Sequence, residues 1–274
     1  KMTLFEALTA AKQKIDRLDA RLLLQYATGC THTDLLARPE TPVIAPAYAQ
    51  FAEWVERRAA GEPLAYLVGE AEFRGRVFQI SPAVLIPRPE TEVLIDLALE
   101  KLQPLVTPKV LDLGTGSGIV AISLSLESPS TETVAVDISK DAIFVARNNA
   151  GRLGAKVDFR QGDWFTPVIG ERFDLIVSNP PYVAEGDPHL ELNGLPFEPR
   201  LALTDQEPNG DGLACIRHIV TTAATHLKPG GWLLFEHGYD QGPASRNLLT
   251  AAGFKAAFTH PDLAGIARVS GAYL

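Results

Sequence analysis

Four consecutive residues, Asn179-Pro180-Pro181-Tyr182, have the types and order to hold a planar NH2 group. An asparagine side chain offers a carbonyl oxygen and an amide nitrogen within one plane. Two prolines stiffen the turn and remove two backbone donors, leaving carbonyls that can only accept. Tyr182 adds a flat face for stacking. The apolar run just before them, Phe173-Asp174-Leu175-Ile176-Val177-Ser178, reads as a buried strand. The four residues therefore sit at a strand's C-terminal end, the edge where open α/β sheets place their ligands.

A second set of residues has the pattern of a nucleotide-type site. Asp112-Leu113-Gly114-Thr115-Gly116-Ser117-Gly118 joins an apolar strand to a helix. Its glycines permit close backbone approach to a ligand. The spacing is GxGxG and differs from the GxGxxG of dinucleotide-binding loops, which disfavours a dehydrogenase. Asp137 ends the following strand, where a carboxylate can accept from both hydroxyls of a ribose. The bland alternative for Asp137 is a helix N-cap, a role Ser139 can fill instead. Asp163 could accept from an adenine amino group, and Trp164 could pack against the ring. A glycine loop, a ribose acid, an adenine pocket and Asn-Pro-Pro-Tyr, in that order on successive strands, are far more specific together than singly.

These residues need a sheet to hold them. From residue 109 onward strand and helix signals alternate, with strands at 109–113, 134–137, 156–159, 173–177 and 232–236. Helices are expected at 118–126, through Ala142, Ala146 and Asn149, and at 213–227, with Lys228-Pro229-Gly230-Gly231 as a turn. Such alternation implies α/β architecture with a mostly parallel sheet. The first 62 residues or so read as helices. Thr3-x-x-Glu6 forms a capping box, a second helix stops near Gly29, Thr33 is placed to cap a third, and a fourth runs over 47–60 with Phe51, Val55 and Ala59 on one face. Phe51 and Trp54 read as core. Between 70 and 80 the period becomes strand-like around Arg74-Gly75-Arg76, a hairpin connector. The Leu85-Ile86-Pro87-Arg88-Pro89 stretch stays extended, and acidic residues then open a helix through Leu94, Ile95 and Leu99.

The whole set resembles the class I S-adenosylmethionine-dependent methyltransferases, and within them the release factor glutamine N5-methyltransferases of the PrmC/HemK type. The likeness covers nearly the whole chain. It includes Gly69-Glu70 with Phe73 and Gly75, Ile86-Pro87-Arg88-Pro89-Glu90-Thr91-Glu92, the glycine loop, Asn179-Pro180-Pro181-Tyr182, Glu198-Pro199-Arg200 with Ala202-Leu203, Gly212-Leu213, Glu236-His237-Gly238, and Asp262-Leu263-Ala264-Gly265 with Arg268. The 86–92 segment is its narrowest marker. One stretch, 204–211 with Gln206-Glu207-Pro208-Asn209, departs from the shorter, more acidic and glycine-rich pattern of that family.

The resemblance implies a Rossmann-like, seven-stranded methyltransferase sheet over 86–274. A small N-terminal helical bundle over 1–68 would recognise the substrate, joined by a β-hairpin linker over 69–85. It implies S-adenosyl-L-methionine as donor and S-adenosyl-L-homocysteine as product, held by Gly114, Thr115, Gly116, Ser117, Gly118, Asp137, Ile138, Asp163, Trp164 and Asn179. The acceptor would be the glutamine N5 in the Gly-Gly-Gln motif of peptide chain release factors. Asn179, Pro180, Pro181 and Tyr182 would bind that glutamine, with Asn179, Pro180 and Tyr182 acting in catalysis. Residues 183–204 are expected to form a wall or lid. No metal is called for.

Bulk properties narrow the field. A chain of 274 residues, 46% hydrophobic and 21% charged, can bury a sizeable core in two domains. Its net charge of −8 argues against nonspecific wrapping of nucleic acid, which rests on phosphate neutralisation. An adenine-N6 DNA methyltransferase could use the same turn but must flip its base from a duplex and needs a basic surface. Arg57-Arg58, Arg74 and Arg76 are the only basic clusters, and they read as solvated faces. A ribosomal-protein glutamine methyltransferase is a nearer rival, and a noncatalytic donor-binding module has no need of Asn-Pro-Pro-Tyr. Cys30 and Cys215 lie far apart and read as small apolar residues. Without a signal-peptide pattern or a run long enough to span a bilayer, a cytoplasmic monomer with no membrane or nucleic acid partner is expected.

Overall fold

Thr3 opens the first helix by reciprocal capping: its hydroxyl accepts from the Glu6 N–H at 3.2 Å, and the Glu6 carboxylate accepts from the Thr3 N–H at 2.9 Å. The computed structural model describes residues 1–274. It divides into a unit of Lys1–Glu70 with Asn193–Phe197, and a unit of Ala71–Leu192 with Glu198–Leu274. The first contains α1 (Leu4–Ala11), α2 (Arg17–Thr28), α3 (His32–Ala37), α4 (Ala45–Ala59) and α5 (Leu64–Val68). Gly29 ends α2 in the left-handed conformation. The cap of α3 is Thr31, two residues before the expected Thr33, because Asp34 stands three positions after Thr31 and completes the box. α4 begins at Ala45, with Pro46 in its first turn. Leu23, Leu24, Phe51 and Val55 form this unit's core, and Trp54 packs against it half-buried. Ala59, expected on the same face, is exposed.

A hairpin of β1 (Glu70–Phe73) and β2 (Arg76–Gln79) follows, and all of it but Glu70 belongs to the second unit. Arg74 and Gly75 both have positive φ, 49° and 73°, as a two-residue primed turn requires. Arg76 therefore starts β2. Arg74 and Arg76 do not face open solvent as expected. Both pair with Glu127, and Arg74 also pairs with Asp96.

Then follow α6 (Glu92–Leu102), β3 (Lys109–Leu113), α7 (Ile119–Glu127), β4 (Glu132–Asp137), α8 (Lys140–Leu153), β5 (Asp158–Gln161) and β6 (Phe173–Ser178). The chain continues through α9 (Arg200–Leu203), α10 (Ala214–Ala223), β7 (Leu227–Glu236), α11 (Gly242–Ala251), β8 (Lys255–Pro261) and β9 (Ala267–Tyr273). The seven-stranded sheet has the order β5-β4-β3-β6-β7-β9-β8, parallel from β5 to β7, with β9 antiparallel to both its neighbours. Strand order reverses between β3 and β6, so a crevice opens beyond their C-terminal ends. Strands buried on both faces explain the unbroken apolar runs Val110-Leu111 and Val134-Ala135-Val136. Leu111, Leu113, Phe173, Ile176, Leu233 and Phe235 anchor the core.

Residues 228–231 lie inside β7 and do not form a separate turn. Pairing with β6 jumps from Phe173↔Leu227 to Leu175↔Trp232, so the Pro-Gly-Gly residues bulge out of register. The chain end fixes the bulge, with Leu274 accepting from the Gly230 N–H and donating to the Gly231 carbonyl. β5 begins two residues later than expected, and α10 is shorter, ending in a 3-10 turn over Ala224–His226. No helix is long and apolar enough to cross a membrane.

Candidate active site

Between β3 and α7 three glycines take positive φ: Gly114 at 72°, Gly116 at 56° and Gly118 at 88°. The N–H groups of Gly114 and Thr115 both donate to the Val136 carbonyl, at 2.8 and 3.0 Å, which ties the loop to the neighbouring strand. Gly118 caps α7 and serves packing, since a Cβ there would meet Ile122 at 2.8 Å and Ala146 at 3.2 Å. Asp112 is only 1% exposed, and Thr115 donates to its carboxylate at 2.8 Å. Burial pushes this carboxyl up to about 7, against the opposing hydrogen bond from Thr115.

Asp137 organises the same loop from the end of β4. One carboxylate oxygen accepts from the Gly116 N–H and the other from the Ser139 N–H, each at 2.9 Å. Ser139 itself caps α8 by accepting from Ala142, so capping does not occupy Asp137. Burial raises the Asp137 carboxyl above its usual value, and the backbone N–H bonds oppose that rise. Beyond β5, the Gly162 N–H donates to the Asp137 carbonyl and brings Asp163 and Trp164 alongside. Trp164 adopts a positive φ of 43°, unusual for a bulky residue.

These residues line one cavity of about 300 Å³ within the larger unit. Gly114, Thr115, Gly116, Ser117, Asp137, Ile138, Asp163, Trp164 and Asn179 all reach it, and Pro181 forms part of its rim. Gly118, Pro180 and Tyr182 do not line it. Pro180 is buried in the turn, and Tyr182 is half-buried against the sheet core. The Tyr182 hydroxyl donates to Glu236 at 3.2 Å, and its backbone carbonyl accepts from the Gln241 side chain at 2.9 Å. Burial, then the adjacent Glu236 charge, push the Tyr182 phenol well above its ordinary value.

The cavity has a further wall that local sequence reading does not resolve. Arg88 pairs with the buried Glu198 carboxylate, whose other oxygen accepts from the Ile86 N–H at 3.0 Å. Arg88 also donates to the Ile86 carbonyl at 2.9 Å. These bonds join the 86–92 segment to Glu198-Pro199-Arg200. Leu85, Ile86 and Arg88 line one side of the cavity, and Pro199, Leu201 and Ala202 line another. Asn149, wholly buried on α8, bridges the glycine loop and the hairpin. Its amide donates to the Ser117 and Gln79 carbonyls, and its oxygen accepts from the Gln79 N–H. Two signals were available in the sequence: an acid within the apolar run Val110-Leu111-Asp112-Leu113, and an Asn on the buried stripe of a helix. Cys215 also lines the cavity half-buried, so it is more exposed than a core residue.

The residues present fit an adenosyl sulfonium ligand. Glycines with open space at Gly116, the Asp137 carboxylate and the Asp163–Trp164 acid–indole pair surround a cavity at the lower end of small-ligand size. Asp137, Asp163 and Asp205 outnumber Arg88 in that lining, a negative balance suited to a cationic centre.

Comparison with known proteins agrees with this geometry. The family model described as "PrmC N-terminal domain" matches residues 3–69, and "Methyltransferase small domain" matches residues 91–193. The release factor glutamine methyltransferase of Bordetella pertussis is 47% identical over 274 residues, covering 100% of both chains. That of Burkholderia pseudomallei is 48% identical over 267 residues, covering 95% of this chain and 93% of the relative. Among solved structures, a methyltransferase from Pyrococcus furiosus aligns with a TM-score of 0.53 at 16% identity, covering 81% of this chain and 98% of that one. A T. thermophilus 16S rRNA N2 methyltransferase in complex with AdoMet and guanosine aligns at 0.54 and 22% identity, covering 74% and 49%. At these identities the two structures speak for the fold alone.

Proposed function

The chain belongs to the release factor glutamine methyltransferase family, and from that premise we propose that it methylates the glutamine side-chain N5 in the Gly-Gly-Gln motif of class-1 peptide chain release factors. The observation that carries this reading is the meeting of the glycine-loop cavity and Asn179 at the ends of adjacent strands β3 and β6. Asp137 would take the ribose hydroxyls, while Asp163 and Trp164 would take the adenine. When bound there, S-adenosyl-L-methionine supplies an electrophilic methyl carbon on a sulfonium and departs as S-adenosyl-L-homocysteine.

An amide nitrogen is a poor nucleophile because its lone pair is delocalised into the carbonyl. The Asn179 side-chain oxygen and the Pro180 carbonyl would each accept one amide hydrogen, which orients the NH2 and raises electron density on nitrogen. Tyr182 would stack on the amide plane, so that the nitrogen lone pair faces the entering methyl. Positioning of this kind contributes up to about 7–11 kcal/mol in favourable systems. Carbonyl dipoles aimed at the nitrogen stabilise the positive charge that develops on it. The nitrogen gains one bond to carbon and loses one proton to solvent.

The helical residues 1–68 would recognise the body of the release factor, a protein partner met by a monomeric enzyme in the cytoplasm. The pairing of Arg57, Arg58, Arg74 and Arg76 with carboxylates supports a protein acceptor over duplex DNA. The test is incubation with labelled donor and, separately, release factor, ribosomal protein or duplex DNA, with mass mapping of the labelled site. Methylated glutamine in the Gly-Gly-Gln peptide is expected. Label in DNA or ribosomal protein, with none in release factor, would overturn the reading.

A further inference from the structure

Behind the Asn-Pro-Pro-Tyr turn lies a buried carboxyl that forms no part of the cavity lining. Glu236 ends β7 and is 1% exposed. One of its oxygens accepts from the Thr91 hydroxyl at 2.8 Å and the other from the Tyr182 hydroxyl at 3.2 Å. Thr91, itself fully buried, belongs to the 86–92 segment. Glu236 thus joins two stretches that are 145 and 54 residues away in sequence. Gln241 completes the clamp: its amide donates to the Tyr182 carbonyl at 2.9 Å, while its oxygen accepts from the Gly238 N–H at 2.8 Å.

A phenol O–H lies in the plane of its own ring. An acceptor held on one side therefore favours the ring plane that contains it, and with the backbone carbonyl also held, little torsional freedom remains. Arg268 on β9 acts on both Tyr182 and Glu236 as the nearby positive charge, and its Nε is buried without a hydrogen-bond partner. Glu90 faces the same carboxyl as a repelling charge. A carboxyl so deeply desolvated is an expensive way merely to fill space, since an apolar or amide side chain packs there at less cost.

We propose that Glu236 is a positioning residue for methyl transfer, setting the plane of the Tyr182 ring on which the acceptor amide stacks, with Thr91 holding the carboxyl in place. This rests on the role given to Tyr182 under the proposed function. Glu236 touches neither donor nor acceptor, so its removal changes turnover and leaves donor binding alone.

The test uses the full chain with labelled donor and saturating release factor, comparing wild type with Glu236→Gln, Tyr182→Phe, the double variant and Thr91→Val. Glu236→Gln should lower kcat on the order of 10- to 100-fold, the scale of a misplaced reacting group. Donor Kd by calorimetry should stay within about twofold, the sign of an interaction that acts beyond ground-state donor binding. Tyr182→Phe should fall by a similar factor, and the double variant no further than the worse single, because both act on one contact: the phenyl ring has no O–H to donate, and the substituted amide offers a neutral, weaker acceptor in place of the carboxyl. Wild-type kcat in Glu236→Gln, losses that multiply in the double variant, or donor affinity falling in step with kcat would each overturn the proposal. Should Glu236→Gln not fold, the other arms decide: wild-type kcat in both Tyr182→Phe and Thr91→Val overturns it. Wild-type protein that labels no release factor overturns the functional reading and this inference with it. Normal labelling by wild type and by Glu236→Gln overturns the inference alone.

Discussion

Adding one methyl group at Gly212 should disable the acceptor turn while sparing the donor cavity. Gly212 has φ of 78°, and a Cβ there would lie 2.5 Å from the Tyr182 carbonyl oxygen, 2.9 Å from the Ala184 nitrogen and 3.2 Å from the Val183 carbonyl carbon. All three are backbone atoms, which no rotamer change can clear. The left-handed conformation costs a non-glycine residue about 1–2 kcal/mol. Overpacking of this kind adds about 1–3 kcal/mol. The loop carrying Gly212 is pinned on both sides, the Leu213 N–H donating to Asp211 and the Ala214 N–H to Asp205. The strain therefore falls on Tyr182, Val183 and Ala184, immediately after the turn. A loss of about 2–5 kcal/mol lowers Tm by roughly 4–20 °C for a unit of this size. The same movement disturbs the Gln241 bond to the Tyr182 carbonyl. Thermal unfolding, donor calorimetry and release factor methylation by Gly212→Ala check the outcome, with kcat falling more than donor affinity. Gly170→Ala is the control: its φ is 82° but nothing lies within 4 Å of its Cβ, so it carries the backbone strain alone. Equal Tm loss and equal kcat in the two variants would refute the steric reasoning.

Three further outcomes follow from the site. Asn179→Ala should abolish methyl transfer while weakening donor binding only modestly; near-normal turnover would remove Asn179 from the mechanism. Asp137→Ala should weaken donor binding on the order of 10- to 100-fold, because ribose hydroxyls lose their acceptor and the Gly116 and Ser139 N–H groups lose theirs. Unchanged affinity by calorimetry would count against that role. Stability should also depend on pH through Glu236, which burial lifts from 4.5 to about 7. The folded state then binds this proton more tightly than the unfolded chain, so stability falls as pH rises from about 4.5 through 7. The loss from pH 5 to 8 is about 2–3 kcal/mol by linkage. Buried His237, held below its ordinary 6.5, works oppositely over part of that range. The difference between wild type and Glu236→Gln in denaturant titrations therefore isolates the carboxyl; a difference that stays constant with pH would contradict the assignment.

The central strands were legible because their signals are local and dense. Apolar runs buried on both faces mark the strands, and in β3 and β6 the glycine or Asn-Pro-Pro that follows marks the ligand edge as well. The outer strands were legible only through family resemblance: β8 is mostly exposed and shows no clean alternation. The 228–231 stretch misled because Pro-Gly-Gly signals a turn locally, whereas pairing with the chain end draws it into β7. The local signals of the 86–92 segment give only an extended stretch and a helix start, for a related reason. Its partners Glu198 and Glu236 lie 110 and 145 residues away, beyond the reach of any periodicity. The Arg74 and Arg76 pairing with Glu127 was hidden likewise, across 53 and 51 residues.

What couples the two halves of the site is strand register. Leu113 and Ser178 are directly paired between β3 and β6, and the Ser178 hydroxyl donates to the Leu113 carbonyl at 2.8 Å in the fully buried interior. The next residue on each strand is Gly114 on one side and Asn179 on the other. Parallel neighbours lie about 4.8 Å apart, so the glycine loop and Asn179 open onto the same crevice. A slip of one residue would turn every side chain of β6 to the opposite face and carry Asn179 away from the cavity. The sheet interior, buried and apolar on both faces, makes that slip prohibitively costly. The juxtaposition of the glycine loop and Asn179 at one cavity is thus fixed by hydrogen bonds and burial at Leu113 and Ser178, which do not line it themselves.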